Sequence, residues 1–145
     1  MDFQLQMTIK QAQVLNESVE FFSRILMGQL EEVAEHTPRL SDESFDDWLV
    51  RRDKVRYLLK EAKEIYTGFY HPGTNFGIHS PRISDSARVA FDLHQVVRQC
   101  LHRSENPNPQ GMARWSTWND DPMRTSTTET TLAKMSKIIQ PKGVL

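Results

Sequence analysis

The sequence predicts an all-α fold: a three-helix antiparallel bundle with a long Gly/Pro/His loop before its third helix and an irregular C-terminal tail that ends in a short helix. Three observations carry this. Apolar residues recur at spacings of three and four over three separate stretches, the period of an amphipathic helix. Residues that favour helix starts head each stretch: Thr8 with Gln11, Ser41-Asp42-Glu43, and Ser84-Asp85. Residues 67 to 84 crowd three Gly, two Pro and two His into eighteen positions, which breaks any regular element.

The N-terminus alternates Phe3, Leu5, Met7 and Ile9 with polar residues, a period of two that suits a short strand. A lone strand is weak, so an extended arm packed on the first helix or on another subunit is the alternative. Thr8-Ile9-Lys10-Gln11 has the form of a capping box. After it, Ile9, Ala12, Leu15, Val19, Phe22, Leu26, Leu30 and Val33 mark one long helix over residues 9 to 36, ending before Pro38. Phe21 and Ile25 widen its apolar face, which points to more than one partner helix.

The second helix is expected over residues 42 to 67, with acids in its first turn where the helix dipole favours them. Phe45, Trp48, Leu49, Val55, Leu58, Leu59, Ala62, Ile65 and Tyr66 mark its inner face. Arg51, Arg52, Lys54, Arg56, Lys60 and Lys63 crowd its middle and end. They read as a solvated face with i,i+4 pairs such as Asp47–Arg51 and Lys60–Glu64, or as a patch for phosphate or an acidic partner. The third helix, residues 85 to 103, carries Ala87, Ala90, Phe91, His94, Val97 and Leu101 on one stripe, broadened by Val89, Leu93 and Val96. Cys100 lies in that pattern and reads as a buried small hydrophobe rather than a reactive thiol.

The helical domain is thus residues 1–103, and residues 104–145 form a tail or arm. Asn106 to Gly111 is a turn-rich linker. Trp115 and Trp118 in so polar a tail imply that it docks on the bundle or on a partner. Thr127 or Thr128 caps a short helix over 128–139, with Leu132, Met135, Ile138 and Ile139 on one face. The sequence has no internal repeat and no sustained heptad.

Composition sets the limits. The 145 residues make one compact domain, with or without tails. Apolar residues are 38% of the chain and charged residues 26%, enough for a small core and too apolar for full disorder. A net charge of -1 argues against a bulk nucleic-acid binder. The single cysteine excludes an internal disulfide and fits a reducing compartment. The N-terminus has neither the basic nor the apolar region of a signal peptide, and no apolar run approaches a membrane span. The expectation is a soluble cytoplasmic protein with no membrane partner.

The unusual chemistry lies between residues 70 and 103, which hold four of the five histidines and carry Arg82, Arg88, Arg98 and Arg103 against Asp85 and Asp92. Such a segment suits an anion: glycine lets backbone N–H groups approach, a helix N-terminus adds positive potential, and Arg pairs phosphate bidentately. His94 and Arg98 stand at i,i+4 on one helix face. The same loop also reads as a plain connector, with Asn75 and Ser80 satisfying turn backbone, and His94 as a hydrogen-bonded core residue. The histidine spacings match no zinc pattern, so no metal and no cofactor are expected. No GxSxG elbow supports a hydrolase, and no RRM or KH pattern supports RNA binding.

The block Asn75-Phe76-Gly77-Ile78-His79-Ser80-Pro81, with Ser84-Asp85-Ser86-Ala87-Arg88-Val89-Ala90-Phe91-Asp92 and His94-Gln95-Val96-Val97-Arg98, resembles one found in small, mostly uncharacterised helical proteins encoded by tailed bacteriophages. The resemblance covers roughly residues 10 to 103 and leaves out the tail. It implies a helical fold and the bacterial cytosol during infection, but no reaction. Phage accessory proteins of this size disarm host enzymes or defences, some by holding a nucleotide signal without cutting it.

Two functions follow as expectations. The first is a non-enzymatic anti-defence protein that sequesters a small nucleotide-like anion. Asn75, Gly77, His79 and Ser80 would form its cradle, and Arg82, Arg88 and Arg98, with His94, would meet the phosphate. Tyr70 or Phe76 would stack on a base. The second is an interaction module that binds and inhibits a host protein through Trp115, Trp118 and the basic face of the second helix. The wide apolar faces of the first and third helices, with the Trp tail, suggest a homo-oligomer.

Overall fold

A computed structural model describes residues 5–68, 74–106, 120–129 and 131–135. The fold is all-α, with four helices: α1 (Ile9–Leu26), α2 (Glu32–Glu35), α3 (Phe45–Thr67) and α4 (Asp85–Glu105). Among the described residues there is no strand, and Leu5 to Thr8 is irregular rather than extended into a sheet. No helix among them is long and apolar enough to cross a membrane. The described residues fall into two compact units, cut between Glu20 and Phe21 and between Ala87 and Arg88.

In the first unit, the expected capping box starts α1. Thr8 N–H donates to Gln11 Oε1 at 2.8 Å and Gln11 N–H to Thr8 Oγ1 at 3.2 Å, so two orphan donors are satisfied reciprocally. Ala12 of α1 packs against Val97 and Leu101 of α4, with Ile9, Leu15, Leu93 and Met135 around them. Of the broad stripe expected on α4, Ala87, Ala90, His94, Val96, Val97 and Leu101 are buried, while Val89, Phe91, Leu93 and the adjoining Cys100 are half-buried.

The second unit corrects two helix boundaries. The first helix stops at Leu26, ten residues before the expected end, because Gly28 adopts φ 81°. Gly28 N–H donates to Ile25 O at 2.9 Å and Gln29 N–H to Arg24 O at 3.0 Å, the paired bonds of a Schellman stop. Leu30 and Val33 kept the helical spacing past this break, and only the single turn of α2 uses it. Gly28 is required twice over, since a Cβ there would stand 2.6 Å from Thr67 Cγ2. The next helix starts at Phe45, three residues later than expected: Ser44 is the N-cap, and its Oγ accepts from Asp47 N–H at 3.1 Å. Gly68, φ 72°, ends it, with its N–H bonded to Glu64 O at 2.8 Å.

The core of this unit is Met27, Ile83 and Ala87, with Leu26, Phe76 and Ile78 packed on it. Ser23 Oγ donates to Ala87 O at 2.9 Å, so α1 packs on the start of α4 here as well. The expected terminal helix over 128–139 is absent from its described part: residues 128, 129 and 131–135 form no helix, and 136–139 lie outside the described residues. A helix so short is marginal unless packed along its length, and of its described residues Met135 is the one packed on the Ala12–Val97–Leu101 core.

Candidate functional site

The ligand residues expected from sequence fall on both units. In the second, Asn75, Gly77 and His79 are exposed, and Arg82 is exposed after them. Ser80 N–H closes a turn onto Gly77 O at 2.9 Å, and Ser80 Oγ accepts from Arg82 N–H at 3.3 Å. Phe76 is part of the fold: its ring packs on the Met27–Ile83–Ala87 core and its N–H donates to Met27 O at 2.9 Å. In the first unit, His94 is buried with Nδ1 3.9 Å from Glu20 Oε2, and Arg88 and Arg98 are half-buried. Ten residues of helix put Arg88 and Arg98 about 15 Å apart along α4. Tyr70, Trp115 and Trp118 lie outside the described residues. Among the described residues no group of three or more His, Cys, Asp or Glu is placed to hold a metal.

Sequence reading missed a polar ladder on α4. Arg88, Asp92, Gln95, Gln99 and Arg103 recur at four, three, four and four, one stripe of a helix. The side chains of the last four, and the Arg88 carbonyl, hold residues 120–126 of the same chain. Asp92 accepts from Thr125 N–H and Oγ1, both at 2.7 Å, and from Ser126 N–H at 3.0 Å. The Gln95 carboxamide takes both backbone groups of Met123, at 2.9 and 3.1 Å. Gln99 donates to Asp120 O and Asp121 Oδ1, and Arg103 pairs with Asp121. The segment therefore runs opposite to α4. The ladder was legible as a polar stripe at helical spacing beside the apolar stripe of the same helix.

The larger surprise is α3, whose expected inner face is only partly packed: Trp48, Leu49, Val55 and Leu59 are half-buried, and the rest of it turns outward. Lys63 is 1% exposed and Thr67 is buried, while Phe45, Leu58, Tyr66 and Ile65 are exposed, Ile65 by 89%. Arg52, Val55, Arg56 and Leu59 share the packed side with Lys63 and are half-buried. The reason is charge pairing with the acidic stretch around α2, which packs on α3. Lys63 Nζ bonds Glu31 at 2.9 and 3.2 Å. Arg56 pairs with Glu35, and Arg51 grips Glu43 by two 2.7 Å bonds. That grip holds the Glu43 carboxyl well below its usual range, at about 2, and Arg56 lowers Glu35 in the same direction. Trp48 Nε1 donates to Thr37 O at 3.0 Å, and Arg52 stacks 5.2 Å over its ring.

Three cations of the expected basic binding face, Arg51, Arg56 and Lys63, are thus spent inside the unit, while Lys54 and Lys60 stay exposed. Arg51 pairs with Glu43 and not with Asp47, which Ser44 Oγ bonds instead. What α3 turns outward is Val50, Tyr57, Leu58 and Ile65, with Lys54 and Glu61 among them. At 100° per residue these six lie within one stripe about 100° wide, opposite the packed side. Val50, Asp53, Lys54, Tyr57 and Leu58 line a shallow depression that, being built from one helix, has no opposing wall.

No family model, curated protein or solved structure matches this chain.

Proposed function

We propose that this chain is a non-enzymatic binding protein and that its working surface is the outward stripe of α3, which docks on protein. One observation carries the reading: one outward stripe of α3 holds four large apolar side chains, while Arg51, Arg56 and Lys63 turn to the acidic stretch around α2. Val50, Tyr57, Leu58 and Ile65 are each more than half exposed, while the cations of the packed side are neutralised by Glu31, Glu35 and Glu43. A helix presenting anchors at i, i+7, i+8 and i+15 is the form that protein grooves and helices recognise. Aromatic and aliphatic anchors in one patch are also what concentrates binding energy.

The sequestration of a nucleotide-like anion would need Arg82, Arg88 and Arg98 to meet one ligand, and the 15 Å rise between the last two favours the protein-binding reading instead. The resemblance to phage-encoded proteins supplies the setting of this proposal, a bacterial host, and does not name the target.

A photo-cross-linking phenylalanine analogue at Ile65, expressed in cells, tests the reading, with the exposed Asp42 as control position. The expected result is a discrete protein adduct from position 65 and none from 42. Absence of any protein adduct at 65, or equal adducts from both, would reject it.

A further inference from the structure

We infer that the occupant of the α3 stripe is a second copy of this chain, its α3 laid antiparallel across the first. This rests on the reading that the stripe binds protein. The stripe is self-complementary. About a two-fold axis between positions 57 and 58, Val50 falls opposite Ile65, Lys54 opposite Glu61 and Tyr57 opposite Leu58. The two charged residues inside the stripe thus oppose each other with opposite sign, twice per pair. Asp53, at its edge, falls opposite Ala62 rather than another charge.

An isologous interface demands this: one patch that meets itself, with residue i on j and j on i. A stripe built for an unrelated partner has no reason to be palindromic in both apolarity and charge. Lys54 has no ion-pair partner among the described residues, and Glu61 is engaged only by the Tyr57 hydroxyl, which that bond keeps protonated to higher pH. Both charges are therefore available to a partner. From Val50 to Ile65 the stripe runs about 22 Å, which puts the pair at the small end of specific interfaces.

Sedimentation equilibrium of the full chain across the micromolar range tests the inference, with circular dichroism to show that each variant folds. The wild type should reach twice the mass of one chain. Leu58→Glu should abolish association. Lys54→Glu should weaken it by about tenfold or more, since it sets like charges opposite each other at both ends. Lys54→Glu with Glu61→Lys should restore it, because the exchanged charges oppose again. A wild type that stays a single chain overturns the inference, but the proposed function stands if position 65 still cross-links to a different protein. A cross-link from 65 into its own chain overturns both. A dimer that survives Leu58→Glu, or a double reversal that fails to restore association, also overturns the antiparallel α3 pair.

Discussion

Helices α3 and α4 have nearly the same length, 23 and 21 residues, and opposite fates. The chain itself finishes α4: its apolar side takes Ala12 of α1, and its polar stripe takes residues 120–126. Among the described residues it finishes only one side of α3, and does so with ion pairs. The lesson is that charge, not apolarity, can decide which way a helix faces. Three carboxylates waiting at Glu31, Glu35 and Glu43 draw in Lys63, Arg56 and Arg51, and Val50, Tyr57, Leu58 and Ile65 are left outside.

The contrast can be broken most severely at Gly28, where the end of α3 meets the turn after α1. Gly28→Ala forces a left-handed φ on alanine and drives its Cβ into Thr67, a combined cost of about 3 kcal/mol or more. Gly68→Ala meets no described atom within 4 Å and should cost only about 1 kcal/mol. Urea unfolding of the two variants measures the difference.

Ion pairing as the cause of α3's orientation predicts an asymmetry. Glu31→Ala strands a buried ammonium and should cost about 3 kcal/mol, whereas Lys63→Met should stay within about 1 kcal/mol of neutral, because Glu31 is partly exposed and rehydrates. Equal costs for the two would argue that packing, not charge, orients the helix.

On α4 the matching change is Asp92→Ala. It removes three acceptor bonds and should cost about 2 kcal/mol. Hydrogen exchange should accelerate at the amides of Met123, Thr125 and Ser126 and stay unchanged in α3. Protection that persists at those three amides would mean that the ladder does not hold the segment.

The acid limb of stability reports the Glu43–Arg51 pair. Glu43 is lowered from 4.5 to about 2, so the folded state holds fewer protons there than the unfolded state. Its contribution is complete above pH 4.5 and vanishes as pH falls to about 2. Glu43→Gln should therefore unfold at higher pH on acidification, with the two curves converging below pH 2. Glu35, lowered by Arg56, adds to the same limb.

Much of the fold was legible because its signals are local. The Thr8–Gln11 box spans four residues and forms as written. The start of α4 after Ser84 and the apolar breadth of that helix follow the same pattern. Gly28 was visible but outvoted by Leu30 and Val33, since apolar spacing does not record a positive φ. The orientation of α3 was not legible because its partners are remote: Arg51 finds Glu43 eight residues back, and Lys63 finds Glu31 thirty-two back. An i,i+4 search cannot see them. Phe76 read as a stacking ring for the same reason, because its place on Met27, Ile83 and Ala87 is set by long-range packing. The α4 ladder was spelled out in its spacing.

The smallest expected effect on stability, and the most direct probe of the central claim, comes from two cysteines placed one at a time on the outer and inner sides of α3. In a Cys100→Ser background, Ile65→Cys and Thr67→Cys are two positions apart on the helix, at 89% and 8% exposure. The surface change at 65 should shift stability by less than about 0.5 kcal/mol. In protein dilute enough to be unassociated, maleimide should label position 65 at the rate of a free thiol and position 67 far more slowly. Equal rates, or faster labelling at 67, would contradict an α3 that turns Lys63 and Thr67 inward and its apolar stripe outward.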